Sequence, residues 1–136
     1  MHILYFHQHF STPQGSAGTR SYEMAQALLR AGHSVTMICG SYAQGSTGLT
    51  SSFDKGRRRG TLHGIDIIEF DLEYGNHMGF AQRLKVFAKF AFGSIGVALR
   101  EPADVVFATT TPLTAGIPGI IARWLKRKPF VFEVRD

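Results

Sequence analysis

The first residues in this chain that could do chemistry lie in one loop rich in small side chains. It reads His7-Gln8-His9-Phe10-Ser11-Thr12-Pro13-Gln14-Gly15-Ser16-Ala17-Gly18-Thr19-Arg20. Gly15 and Gly18 admit backbone shapes closed to other residues and let a ligand approach the main chain. Ser16 or Thr19 can cap a following helix, whose first N–H groups point back into the loop. Such a helix end favours anions, phosphate above all. Arg20 in a first helical turn works against the helix dipole, so it makes most sense facing a phosphate or a carboxylate. The plain structural alternative is a shaped turn with Arg20 in water. A second set is Thr109, Thr110 and Thr111, whose hydroxyls can reach sugar or phosphate oxygens or simply cap the next helix. A third is Arg135 and Asp136, directly after an apolar run.

These sets act together only if strands and helices deliver them to one place. Ile3, Leu4, Tyr5 and Phe6 are apolar on consecutive positions, as in a strand buried on both faces of a parallel sheet. Tyr22, Ala25, Leu28 and Leu29 recur at helical spacing, which predicts a helix over about Thr19 to Ala31 with Gly32 past its end. A second strand, Ser34 to Cys39, follows, and a right-handed crossover makes it parallel to the first. Thr61 to Phe70 reads as a short strand, a tight His63-Gly64 connection and a further strand. Asp104 to Ala108 and Phe130 to Val134 read as strands around a helix over Thr114 to Lys126, with Pro118 marking a late start or a kink. The fold class expected is therefore α/β: a Rossmann-like open parallel sheet with helices on both faces. Counting its five parallel strands along the chain, the expected order is 3-2-1-4-5. In such sheets ligands sit at the carboxyl edge. That edge would gather the Gly15–Gly18 loop, the three threonines and Arg135–Asp136.

Between these elements, Gly40 to Ser52 reads as a mobile polar loop. Lys55-Gly56-Arg57-Arg58-Arg59 reads as a solvated charge run. Met78 to Arg100 predicts a long helix with Phe80, Leu84, Phe87, Phe90 and Leu99 at helical steps. Its charges are all basic until Glu101. A basic amphipathic helix rich in Phe is suited to a membrane surface, with Arg83, Lys85, Phe87, Lys89 and Phe90 as the contact residues. The alternative is a helix that covers the sheet and leaves its cations in water.

Fifteen Lys and Arg against ten Asp and Glu leave the chain at +5, which suggests anionic partners. Nothing resembles a nucleic-acid-binding module, so nucleic acid is not expected. The G-x-G-x-x-G and Walker patterns are absent, and the second strand ends Cys39-Gly40-Ser41 without the acid a dinucleotide ribose requires. The single cysteine, Cys39, excludes an internal disulfide and reads as a small core residue in a reducing compartment. No window is apolar enough to span a bilayer, and no signal sequence precedes the first strand.

The run ILYFHQHFSTPQGSAGTRSYEMAQALLRAGHSVTMICGSY resembles the N-terminus of retaining GT-B glycosyltransferases of family 4. Pro13, Gly15, Gly18, Arg20, Glu23, Ala25, Leu28, Gly32, His33, Val35 and Met37 stand at the positions of that family's pattern, and VFEVRD looks like the end of a central strand in it. The resemblance covers most of the chain, which is similar to the branch that builds bacterial surface polysaccharides with N-acetylamino-sugar donors. It implies a nucleotide-sugar donor as co-substrate, a saccharide or lipid-linked acceptor, no other cofactor and no protein metal. It implies that residues 1–136 are an incomplete N-terminal, acceptor-side domain, inactive alone, with the donor-binding C-terminal domain absent from this chain. Location would be cytoplasmic, peripheral on the inner face of the membrane. The family commonly carries His-Asp where this chain has Arg135-Asp136, a departure that leaves open whether Arg135 makes the contact usually made by that His. The competing expectation is a non-catalytic acceptor-binding subunit that recruits a separate catalytic partner.

Overall fold

A computed structural model describes residues 1–15, 19–42, 46–74, 78–109 and 117–134. Its centre is β1 (His2–Phe6), the strand of consecutive apolar residues. Leu4, Tyr5 and Phe6 are all at 0% exposure, which requires cover on both faces, since neighbouring side chains of a strand point oppositely. That cover is α1 (Arg20–Arg30) on one face and α2 (Phe80–Arg100) with α3 (Ile117–Leu125) on the other. Tyr5, Val35, Met37 and Ile67 form the core under α1. Leu4, Phe6, Ile38 and Ile68 form the other core, with Phe90 and Val97 of α2 and Ala122 of α3.

The remaining strands are β2 (Ser34–Tyr42), β3 (Arg57–Leu62), β4 (Ile65–Tyr74), β5 (Val105–Thr109) and β6 (Phe130–Glu133). They form one sheet in the order β3-β4-β2-β1-β5-β6. Every pairing is parallel except β3 with β4. The five parallel strands thus stand in the order expected, and the fold class is as expected too. β3 adds an antiparallel edge.

That edge starts earlier than the sequence pattern suggested, because its first half is arginine. Leu62 pairs with Ile65, leaving His63 (φ 49°) and Gly64 (φ 84°) as a two-residue turn with both φ values positive. This turn type matches the twist of the strands it joins. The His63 ring is hydrogen-bonded to the Tyr22 hydroxyl at 2.8 Å, a structural role.

Two expectations for this region hold only in part. Lys55, Arg57 and Arg59 of the charge run are exposed, as expected, but Arg58 is largely covered and the run is tied by ion pairs. Arg58 lies directly across from Glu69, and its Nε and Nη2 donate to the two carboxylate oxygens at 3.0 and 3.2 Å. Arg59 bridges Asp66 and Glu101, each at 2.6 Å. Likewise, the loop before β3 is not free over residues 46–52. Ser46 O accepts from the Thr12 N–H and hydroxyl at 2.7 and 2.8 Å, and Thr47 Oγ1 donates to Glu69 at 2.5 Å. Residues 43–45 lie outside the described set. Cys39 is fully buried beside Glu69, and that burial pushes its thiol up, out of the reactive range. Among the described residues, no helix is long and apolar enough to cross a membrane.

Candidate functional site

The carboxyl edge of the parallel strands receives the end of β1, the N-terminus of α1 and the ends of β5 and β6. β1 hands over to His7, whose N–H donates to Ile38 O at 3.0 Å and so keeps the chain in line with β2. The buried His7 ring is hydrogen-bonded to Ser21 Oγ at 2.6 Å, which ties the loop to the first turn of α1. Gly15 N–H donates to Thr12 O at 3.1 Å and closes a turn within the loop. Of the two cap candidates, Thr19 occupies the N-cap position of α1, but its side chain makes no capping hydrogen bond. Ser16 and Gly18 lie outside the described residues, as do Thr110, Thr111, Arg135 and Asp136.

Three of the described groups meet here. Arg20, the first residue of α1, donates from Nη2 to Glu133 Oε2 at 2.6 Å. Thr109, the last residue of β5, donates from Oγ1 to Glu133 Oε1 at 2.9 Å. Glu133 ends β6. The carboxylate explains how a cation is tolerated at a helix N-terminus. The side chains grade outward from a fully buried Thr109 to Arg20, which is 61% exposed. Arg20 therefore keeps guanidinium surface directed to solvent while one carboxylate oxygen holds its orientation. Chemically, this rim combines a fixed cation, an anchored carboxylate and the N-terminus of a helix. That combination suits binding of phosphate and of sugar hydroxyls.

Sequence reasoning placed Arg20 and Thr109 on this rim but missed Glu133. Its only signal was an acid inside an otherwise apolar strand. Gln8 was also missed. It is 1% exposed, and its side-chain amide has no hydrogen-bond partner among the described residues. Its own carbonyl accepts from Gly40 N–H at 3.0 Å, which places it over the ends of β1 and β2, beside the rim.

His9 lies in the same loop, with its ring 6.5 Å from that of Phe87 in α2. Burial pushes its imidazole down to about 4. The sign of the consequence follows from linkage. The unfolded chain takes up a proton on His9 below about pH 6.5, the ordinary imidazole value, while the folded protein does so only near 4. Stability is therefore lost as pH falls through that window, by a total on the order of 3 kcal/mol. Urea unfolding of the protein and of His9→Gln across pH 4–6.5 should show a shallower pH slope in the variant.

The helix expected at a membrane is split by its packing. Lys85 and Lys89 are exposed, while Arg83 and Phe87 are half-buried. Phe90 cannot touch lipid: it is at 0% exposure, edge-on to Phe70 with ring centres 6.0 Å apart. It belongs to the sheet-facing stripe of α2. The outward stripe is instead Leu84, Lys85, Ala88, Lys89 and Phe92, of which Phe92 is 75% exposed.

Three comparisons bear on these findings. The model of a family described as a glycosyl transferase 4-like domain matches residues 15–136. No curated protein matches the chain. Among solved structures the chain is similar to one described as trehalose-6-phosphate from E. coli bound with UDP-2-fluoro glucose. The identity is 10% and the TM-score 0.57, over 97% of this chain and 32% of that one. It is also similar to sucrose-phosphate synthase from Thermosynechococcus elongatus, at 14% identity and a TM-score of 0.52, over 98% of this chain and 32% of that one. At these identities the likeness is one of fold, and the chain spans about a third of the length of each neighbour.

Proposed function

The chain belongs to the glycosyl transferase 4-like family, and from that premise we propose that it is the acceptor-side part of an enzyme moving a sugar from a nucleotide-sugar donor to a saccharide or lipid-linked acceptor. The observation that carries this reading is the contact of Arg20 and Thr109 with Glu133 at the carboxyl edge of the sheet. In the reaction, the bond between the sugar's anomeric carbon and the nucleotide diphosphate breaks. An acceptor oxygen attaches to that carbon from the same face, so configuration is retained, and the acceptor proton passes to the departing diphosphate. Negative charge grows on that diphosphate. Positive side chains and helix N-termini stabilise it without a protein metal.

Within this reading, Gly15, Ser16 and Gly18 allow substrate close to the main chain, and Arg20 supplies a cation beside it. Thr109, Thr110 and Thr111 offer hydroxyls to sugar or phosphate oxygens. Arg135 and Asp136, two and three positions along the chain from Glu133, are the catalytic pair. Donor contacts come from a further domain, so residues 1–136 alone are inactive. The test is sugar transfer from UDP-sugars to a lipid-linked saccharide. The whole protein should give product with retained anomeric configuration, and residues 1–136 alone none. Turnover by residues 1–136, or an inverted product, would overturn the proposal.

The outward stripe of α2 supports a second element, docking on the anionic inner face of a membrane, where a lipid-linked acceptor would be held. Lys85 and Lys89, with Arg83 at the flank, provide charge, and Leu84 and Phe92 provide apolar area. Each cation near such a surface is worth about 1 kcal/mol, a gain that fades with salt. The protein should co-sediment with phosphatidylglycerol vesicles at low salt. Lys85→Glu with Lys89→Glu should weaken that binding about tenfold or more, since reversal both removes attraction and adds repulsion. Lys55→Glu with Arg57→Glu, on the far edge, should cost much less. Equal losses would reduce the effect to diffuse charge.

A further inference from the structure

β3 lies at the sheet edge opposite to β6, so anything it binds is separate from the Glu133 rim. β3 and β5 are four strand steps apart, about 19 Å at the usual spacing. Between β3 and the last turns of α2 lies an open cavity of about 440 Å³, within the size range of small-molecule sites. Arg57, Arg59, Arg100 and the Ser51–Ser52 pair line it, over a floor of Ile68 and Val97. Arg57 and Arg59 pair across from Phe70 and Ile68, both of which pack in the core beneath α2, so their side chains share the face that α2 covers. α2 does not reach far enough to cover β3. Its C-terminal Arg100 comes in from the opposite wall.

Protection of an edge strand accounts for arginines on β3. It does not account for Arg100, which lies on a different element. Arg100 is also posed: its Nε donates to Gly96 O at 3.1 Å, and its Nη2 lies only 2.7 Å from where a Cβ on residue 96 would stand. Gly96 is thus what lets the guanidinium lie back along the helix. The other wall is fixed as well, since Arg58 Nη1 holds Ser51 O at 2.8 Å. Arg59 is already neutralised by Asp66 and Glu101. Among the described residues Arg57 has no ion-pair partner, and Arg100 bonds only to a carbonyl. Two unneutralised guanidinium groups therefore face one cavity from two walls, with two serine hydroxyls beside them. Asp54 is the one lining carboxylate that does not already hold an arginine.

We propose that this cavity is a second, non-catalytic binding site for a soluble phosphoester, with Arg57 and Arg100 clasping the phosphoryl group and Ser51 and Ser52 donating to it. Phosphate suits both guanidinium groups, which present paired N–H donors to its oxygens. Walls on two elements and a floor between them suit a free ligand over a membrane headgroup.

The test is backbone-amide NMR of the protein titrated with inorganic pyrophosphate, against sodium chloride at equal ionic strength. Saturable shifts at residues 51–59 and 96–101, absent with chloride, are expected. Arg57→Ala with Arg100→Ala should weaken this binding at least tenfold, and Gly96→Ala, which keeps every charge, should weaken it severalfold. Arg57→Lys with Arg100→Lys controls for folding and should retain a measurable part. Arg20→Ala should leave these shifts unchanged, so a failure here is distinguishable from a failure of the rim. Shifts that chloride reproduces, or that survive loss of both arginines in a folded protein, would overturn the proposal.

Discussion

Glu133→Gln in the whole protein should cut the proposed sugar transfer about 100-fold, and Arg20→Ala about as much, since removing one preorganised group from a site of growing charge costs on that order. Both variants should melt near the parent temperature. The Arg20–Glu133 pair is largely exposed on the arginine side, and pairs of that kind contribute about 1 kcal/mol or less to folding. Its value lies in position. Glu133 accepts from Arg20 and Thr109 together, so α1, β5 and β6 share one anchor. Gln keeps the shape of Glu but gives up the charge-assisted hold, and Arg20 is released to many rotamers. Arg20→Lys should restore only part of the rate, because an ammonium lacks the planar fork. Gly15→Val and Asp136→Ala should also lower transfer strongly. Steady-state rates beside thermal melts separate the cases. Wild-type rates in all four positions would place the chemistry elsewhere.

The largest effect on stability should come from Glu69→Ala, with a loss of about 3–5 kcal/mol. For a domain of this size that lowers Tm by on the order of 10–20 °C. Glu69 is 3% exposed and accepts from Arg58, Ser41 and Thr47. With the carboxylate removed, Arg58 is left charged and mostly buried, and the loop over residues 46–52 loses its tether. Arg58→Met with Glu69→Leu should cost less than Glu69→Ala alone, since no unpaired charge then remains. Calorimetry of both variants checks the order. A double variant less stable than the single one would show that the ion pair itself carries the stability.

What sequence reasoning could see follows from the range of each interaction. β1 was legible because burial on both faces forces consecutive apolar residues. The β3–β4 turn was legible because positive φ at two adjacent positions selects His63-Gly64. Periodicity found α2 but not its rotation: Phe87, Phe90 and Leu84 lie on neighbouring rows, and only the position of Phe70 on β4 decides that Phe90 faces inward. The arginine run was only partly legible for a similar reason. Its partners Glu69 and Asp66 become neighbours only through strand pairing. Glu133 gains meaning only when β5 lies beside β6 and α1 points at both. The rim was thus readable as a place, through the rule for parallel sheets, while its central contact was not.

The sheet's strand order also has a consequence for how the chain is made. β1, β2, β4 and β3 are neighbours in space and all lie before residue 75. The buried core beneath α1 draws only on Tyr5 through Ile67. A ribosome that has released those residues has supplied this half of the hydrophobic interior except Phe107 of β5, whose ring centre lies 4.7 Å from that of Tyr5. The opposite half has to wait for α2, β5 and α3, because Phe90, Val106 and Ala122 fill it. Synthesis therefore presents one nearly complete face and one bare face at the same time. Until the later helices arrive, Leu4, Phe6, Ile38 and Ile68 stand as an open apolar surface. That interval is when the nascent chain is most prone to associate through exposed apolar surface.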